Sequence, residues 1–314
     1  MLKKSLLILG LVFTYFSFPT FGQQDPQYSM YMFNGMSINP AYAGSREKIS
    51  LTALYRHQWS GMDGAPRTIS FNAHSPLLND RIGLGLSVVN DRIGVTNTNH
   101  INGAYAYRLP TDIGRLSFGI QGGFSHYNSR WSDLVLNDAG DNNFSSNSPN
   151  LFLPNFGFGI YLYDHNRYYV GVSAPQLLNN SLNESLSLEG TNNVARQFKH
   201  YFFTAGYVAK LNEFMKFKPS VLLKYVHGAP LQADFNASLL FYDALWVGAS
   251  YRTGDSFVFM VEYYFGERFR AGYAYDYTIT ELNNYTSGSH EIMIGYEFSL
   301  DKDAYLTPRR ISYF

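Results

Sequence analysis

Apolar and aromatic side chains recur at every second position over most of the chain. Between 268 and 278, Phe269, Ala271, Tyr273, Tyr275 and Tyr277 occupy one phase, and Arg268, Arg270, Gly272, Ala274 and Asp276 the other. Successive side chains of a β-strand point to opposite faces, so this segment has one oily face and one polar or small face. A soluble sheet rarely turns so many aromatics outward, whereas a strand set between lipid and a wet interior needs them there. The same alternation, punctuated by turn residues, predicts fourteen strands near 48–58, 65–75, 81–90, 98–109, 114–128, 153–164, 167–175, 198–211, 214–228, 230–242, 245–253, 256–265, 268–278 and 289–299.

The predicted fold is therefore all-β: a single transmembrane antiparallel barrel of about fourteen strands over 48–314. An even strand number puts both ends on the periplasmic side. Longer connections at 129–152 and 176–197, rich in Asn, Ser, Asp and Gly, are expected to face outward. A charge at the lipid-facing positions Tyr273 or Phe259 is expected to cost ~2–4 kcal/mol at the midplane, and one at Gly272 less.

Ahead of the barrel, residues 1–22 carry Lys3 and Lys4, an apolar stretch from Ser5 to Phe18 and the small residue Gly22. This is the layout of a cleaved signal peptide, with a mature chain expected to begin near Gln23. The segment 23–47 does not alternate, yet it holds Tyr28, Met30, Tyr31, Met32, Phe33, Met36, Ile38 and Tyr42. Too apolar for a loose tail, it is open to three readings: a plug inside the barrel, a pad against its periplasmic rim, or a partner-docking segment.

Composition narrows the chemistry. Charged residues make up 15% and aromatics 17% of the chain, which suits a barrel better than a soluble domain, where charged residues are about 25%. There is no cysteine, which excludes disulfides, thiolate metal sites and cysteine nucleophiles. Net charge is zero and no long basic run signals nucleic acid. No G-x-S-x-G elbow occurs, and the eight histidines are scattered one per strand or turn, so no enzymatic site is expected and no cofactor is implied. The polar run Asn137 to Asn142 has the wrong acidic spacing for a calcium loop.

Inward-phase charges gather near the C-terminus: Arg252, Glu262, Arg268, Arg270, Asp276, Glu291 and Glu297. They are expected either to form a satisfied network that narrows the lumen or, less in keeping with their mixed signs, to line a conduit.

Two stretches go further than fold class. QDPQYSMYMFNGMSINPAYAGS at 24–45, followed by YRHQWSGMDGAPRTISFNAHSPL at 55–77, closely resembles the opening of the PorP/SprF family. The resemblance continues through NFGFGIYLYDHNRYYVGVSAPQLL at 155–178, KHYFFTAGY at 199–207, WVGASYRTGD at 246–255, AGYAYDYT at 271–278, SGSHEIMIGYEF at 287–298 and the closing TPRRISYF. It implies an outer-membrane protein of the type IX secretion system and its gliding-motility counterpart. On that resemblance, the partner is a large secreted or surface protein with a C-terminal targeting domain, with the periplasmic ring of the machine as a further candidate.

The segment 38–44 and the first hairpin are expected to act together as an interaction surface, because barrel closure explains neither. The candidate residues are Asn39, Pro40, Ala41, Tyr42, Gly44, Tyr55, Arg56, Gln58, Trp59 and Gly64. The rival reading is a transport barrel for a small solute or hydrophobic ligand, which needs a continuous lumen or a lateral opening.

Overall fold

Alternating segments become long antiparallel strands because each can bury a polar phase inward only if its neighbours do the same and the sheet closes on itself. The computed structural model describes residues 26–78, 80–133, 148, 150–164, 167–180 and 198–298. The expected signal peptide, the run 137–142, most of the two longest connections and the closing TPRRISYF lie outside the described residues.

The strands are β1 (Ile49–His57), β2 (Arg67–Leu77), β3 (Ile82–Ile93), β4 (Thr96–Thr111), β5 (Gly114–Ser129), β6 (Leu151–Asp164), β7 (Tyr168–Gln176), β8 (His200–Tyr207), β9 (Ala209–Lys210), β10 (Met215–Val226), β11 (Gln232–Phe241), β12 (Leu245–Arg252), β13 (Ser256–Phe265), β14 (Phe269–Thr278) and β15 (Ser289–Phe298). Apart from β8 and β9, which both pair with β10, each pairs antiparallel with its sequence neighbour, and β1 pairs with β15 from Ile49↔Phe298 to His57↔His290, which closes the ring. β8 and β9 are two pieces of one stave on β10, in continuous register. The break, at Val208, falls opposite Lys218 and next to Pro219, which has no N–H for the ladder. Counted as staves, the barrel has fourteen.

The phases separate as the alternation requires. In β13, Ser256, Val258, Met260, Glu262 and Tyr264 are buried, while Phe257, Phe259, Val261, Tyr263 and Phe265 are exposed on the outer wall. Along the β12–β13 pair the outer face runs from Tyr251↔Phe257 through Val247↔Val261 to Leu245↔Tyr263. That places tyrosines at both ends and only the apolar Ala249, Phe259, Val247 and Val261 between them, as two interfaces and a hydrocarbon core demand.

The two ends differ. One carries only the short turns 78–81, 112–113, 165–167, 211–214, 242–244 and 266–268; the other carries 58–66, 94–95, 130–150, 177–199, 227–231, 253–255 and 279–288. We call them the short-turn end and the long-loop end.

The lumen is filled by the chain's own N-terminal segment. Residues 26–47 form three single 3₁₀ turns, Tyr31–Phe33, Gly35–Ser37 and Pro40–Tyr42. Met30, Ala41 and Ala43 are 0% exposed, and Tyr31, Met32, Phe33, Met36, Ile38 and Tyr42 are also buried. The first half packs on Leu54, Leu222, Leu240, Trp246, Val258, Met260, Ala274 and Met293, and the second half on Ala104, Ala106, Tyr161, Tyr163 and Tyr169.

This plug runs the length of the barrel. Pro26 and Gln27 lie beside Asn155, Gln176 and His200, in the long-loop half, whereas Gly44 reaches Gly83 and Arg108 near the short-turn end before the chain turns into β1. The expectation that both chain ends share one side therefore holds for β1 and β15, but the chain approaches β1 from the opposite end of the lumen.

Wall glycines make room for the plug. A methyl group on Gly83 would overlap the carbonyl of Ala43, one on Gly85 the Met36 side chain, one on Gly119 the backbone of Ala41, and one on Gly159 the side chain of Asn39. Gly272 is another: its missing Cβ is replaced by the end of Met30. A charge at Gly272, expected to cost less than one at Tyr273 or Phe259, would meet the end of the Met30 side chain in the lumen.

Gly119→Ala, which drives a methyl into plug backbone, is expected to destabilise the barrel by ~1–3 kcal/mol. Gly103→Ala, where the nearest atom would be 3.9 Å away, is expected to change little. Denaturant unfolding of both variants in detergent measures the difference.

Candidate functional site

A segment with almost no regular structure, held at membrane depth, must have its backbone groups satisfied by something. Its own turns satisfy some of them, from Phe33 N on the carbonyl of Met30 to Glu47 N on that of Gly44, and the barrel wall and Arg46 supply further partners. Glu291 accepts from the N–H groups of Ser29 (2.9 Å) and Met30 (2.7 Å). The carbonyl of Phe33 accepts from Arg270 (3.0 Å) and Arg46 (3.2 Å), that of Ile38 from Ser173 (2.7 Å), and that of Ala41 from Ser117 (2.6 Å). Arg108 donates to the carbonyl of Gly44, whose N–H reaches His74 Nδ1 at 3.1 Å. Asn39 caps its own turn by accepting from Ala41 N (2.9 Å) and donates to the carbonyl of Ile160 on β6 (3.1 Å).

Two buried ionic clusters sit at the heart of this arrangement. In the first, towards the long-loop end, Arg56 on β1 contacts Asp276 (2.7 Å) and Glu291 (3.0 Å), and Arg252 on β12 contacts Asp234 (3.0 Å), Asp255 (3.3 Å) and Asp276 (3.6 Å). Ser29 lies at its centre, donating from Oγ to Asp276 (2.7 Å) and accepting from Arg56 (3.1 Å). In the second, Arg270 on β14 pairs with Glu262 (2.7 Å), donates to Thr52 Oγ1 (2.8 Å) and approaches Glu297 at 3.6 Å, while Arg46 of the plug pairs with the same Glu297 and with the Tyr42 hydroxyl (3.0 Å). Lys218, also buried, lies over the rings of Trp246 (5.1 Å) and Phe33 (5.4 Å). Burying charge is costly unless each is paired, and here opposite signs alternate around the plug.

Of the inward charges expected from sequence, Arg252, Glu262, Arg270, Asp276, Glu291 and Glu297 face the lumen. Arg268 does not. It is exposed in the turn before β14, where its carbonyl accepts from Glu297 N at 2.7 Å, because Gly266–Arg268 form the reversal and the strand starts one residue later. Asp234 was missed, although it stands directly opposite Arg252 across β11–β12. The plug's own contributions, Ser29 and Arg46, carry no periodic signal to find them by.

The expected partner surface does not form as one patch. Asn39, Pro40, Ala41, Tyr42 and Gly44 are buried in the lumen towards the short-turn end, Arg56 is in the first ionic cluster, and Tyr55 faces outward from the wall. Only Gln58, Trp59 and Gly64 lie at the barrel's edge, on the 58–66 hairpin at the long-loop end. That hairpin is fastened to its neighbours: Ser60 N donates to the carbonyl of Gly288 (2.8 Å), Ser287 N to that of Ser60 (2.8 Å), and Gly94 N to that of Gly64 (2.9 Å). Trp59 adopts a φ of 51°, a left-handed conformation unusual for a bulky residue, held by its N–H on Ser289 Oγ at 3.1 Å.

Histidines serve as hydrogen-bonding groups: His74 on Gly44, His100 with Ser125 (2.6 Å), and His290 with Tyr273 (2.7 Å). Among the described residues no group of His, Asp and Glu is arranged to hold a metal.

The sequence model of a family described as "Type IX secretion system membrane protein PorP/SprF" matches residues 20–296. No protein with a curated description matches. Among solved structures, the CymD monoaromatic hydrocarbon channel superposes with a TM-score of 0.51 at 11% identity, covering 85% of this chain and 92% of its own. A Pseudomonas aeruginosa FadL homologue gives 0.48 at 12% identity, covering 89% and 96%, and Acinetobacter baumannii Omp33 gives 0.45 at 11%, covering 81% and 100%. At such identities the first of these attests the barrel fold alone.

Removing Glu291, as in Glu291→Ala, takes one of the two carboxylates from Arg56, leaving it Asp276, and strands two plug N–H groups. It is expected to cost ~3–5 kcal/mol, the scale for breaking a buried ion pair. Ser287→Ala at the long-loop rim is expected to cost under ~1 kcal/mol. Guanidinium unfolding curves in detergent compare the two.

Proposed function

Because this chain belongs to the PorP/SprF family of type IX secretion system membrane proteins, we propose that it is a non-enzymatic outer-membrane platform of that system. On this reading it supports export and cell-surface attachment of large cargo by receiving their C-terminal targeting domain. The long-loop end faces the exterior and the short-turn end the periplasm, following the usual asymmetry of bacterial barrels. The short-turn end is then the side on which the periplasmic ring and the gliding machinery are met.

The observation that carries the platform reading is the plug. A bore threaded by residues 26–47, fixed through two buried ionic clusters, is poorly suited to free passage of solute. What such a barrel offers a large partner is its rim. There the 58–66 hairpin, braced against 287–288 and 94, presents Gln58 and Trp59 on a fixed backbone. Pre-organised aromatic residues of this kind are common anchors of binding energy.

The test separates recognition from structure. Gln58→Ala combined with Trp59→Ala is expected to leave heat-modifiable barrel mobility unchanged while weakening cargo attachment by ~30-fold, the scale of one hot-spot residue. Tyr42→Ala, which empties a buried plug site, is expected to impair barrel assembly itself. Surface cargo is read by protease shaving of intact cells; undiminished cargo on the hairpin variant contradicts the assignment of the hairpin.

A further inference from the structure

The outer wall carries a strongly charged patch at the long-loop end. Arg67, the first residue of β2, stands directly opposite Arg92 of β3, and both are exposed. Their phase is the lipid-facing one, since Ile69 and Phe71 follow Arg67 at two-residue steps and are 55% and 40% exposed. Across the registers the row continues through His57 of β1 and His290 of β15 on one side and Asn97 of β4 on the other, with no Asp or Glu among the five.

Like charges directly opposite each other work against strand pairing, so two facing arginines call for an anion between them. The described residues do not provide it, because neither guanidinium makes an ion pair or a side-chain hydrogen bond with them. Asp91, next to Arg92 in sequence, is buried on the lumen side and accepts from Thr68 Oγ1 at 2.6 Å. The connections that border these strands, 58–66, 94–95 and 279–288, are all described, and their acids Asp63 and Glu281 are exposed and pair with neither arginine.

The patch lies where hydrocarbon ends. Ile69 and Phe71, with Tyr55 opposite Ile69 on β1, continue the same face towards the midplane as apolar wall. On β3 and β4 the residues beside the pair are already polar: Asn90 donates to Asn97 and Asn99 at 2.7 Å each, a cluster that suits headgroups and not acyl chains. An acidic soluble partner would have to reach down to that border, whereas a lipid places its phosphate there and its chains against the wall below.

We propose that Arg67 and Arg92 clamp the phosphate of a membrane lipid whose acyl chains lie along Ile69 and Phe71. The planar guanidinium fork matches phosphate oxygens, and two forks from facing positions hold one phosphate from both sides. With the long-loop end outward, as proposed above, the lipid is a phosphorylated glycolipid of the outer leaflet, its sugar beside Asn90, Asn97 and Asn99. The leaflet rests on that orientation; the clamp does not.

The test uses the full-length barrel in detergent, native mass spectrometry and two probes: monophosphoryl lipid A and the same lipid with its phosphate removed. The phosphorylated lipid is expected to bind at least ~tenfold more tightly, and Arg67→Gln combined with Arg92→Gln is expected to abolish the difference. Equal binding of the two lipids, or an unchanged preference on the double variant with normal heat-modifiable mobility, overturns the clamp. The comparison of lipids needs no variant and so stands even if the double variant does not fold. Because the chain has no cysteine, Asp63→Cys reports orientation separately, through a membrane-impermeant maleimide. Labelling of intact cells supports the outer leaflet, and labelling only after lysis overturns the glycolipid assignment together with the orientation, while the clamp is decided by the two lipids alone.

Discussion

The constraint on which this structure turns is hydrogen bonding at membrane depth. A barrel wall satisfies its own backbone by closing, but the turns of residues 26–47 close only part of their own hydrogen bonds, as from Phe33 N to the carbonyl of Met30 and from Ser45 N to that of Tyr42. Everything unusual about the interior answers that need. Serines on β5 and β7 and arginines on β4 and β14 each reach inward to one plug carbonyl, and a glutamate on β15 to two plug N–H groups. Several of those wall groups are charged and must themselves be neutralised, so the ionic clusters follow from seating the plug.

Space is set by the same requirement. Backbone can approach a wall closely enough to accept from a serine only where the neighbouring wall residues have no side chain, and glycines on β3, β5 and β6 stand there. Asn39 and Pro40 set the last turn, Gly44 with a φ of 75° bends the chain, and Tyr42 packs edge-on to His74 and Tyr161. The INPAYAG stretch is thus explained by fitting a plug to a wall. It is hidden from any partner outside the lumen.

Much of the wall was legible in the sequence, because a two-residue period is a direct consequence of the pleat. β13 and β14 alternate so cleanly that lumen and lipid faces could be assigned residue by residue, and the inward charges Arg252, Arg270, Asp276 and Glu291 were visible on that basis. Arg268 shows where the period misleads: it shares their phase, but three residues are needed for the turn. The plug was legible as apolar and aperiodic and no further. Its position depends on contacts more than two hundred residues apart, such as Ser29 with Glu291, which no local pattern encodes. For the same reason the 38–44 segment and the 58–66 hairpin, neighbours in sequence, could be joined into one surface on paper while the fold separates them along the barrel.

The central claim is that the bore is occupied along its length by the chain's own residues. Planar-bilayer recording of the intact, unmodified protein tests this most directly. The expected result is insertion without a steady open-state current. A stable, ohmic conductance with the plug residues intact would show a continuous aqueous path and would contradict the account.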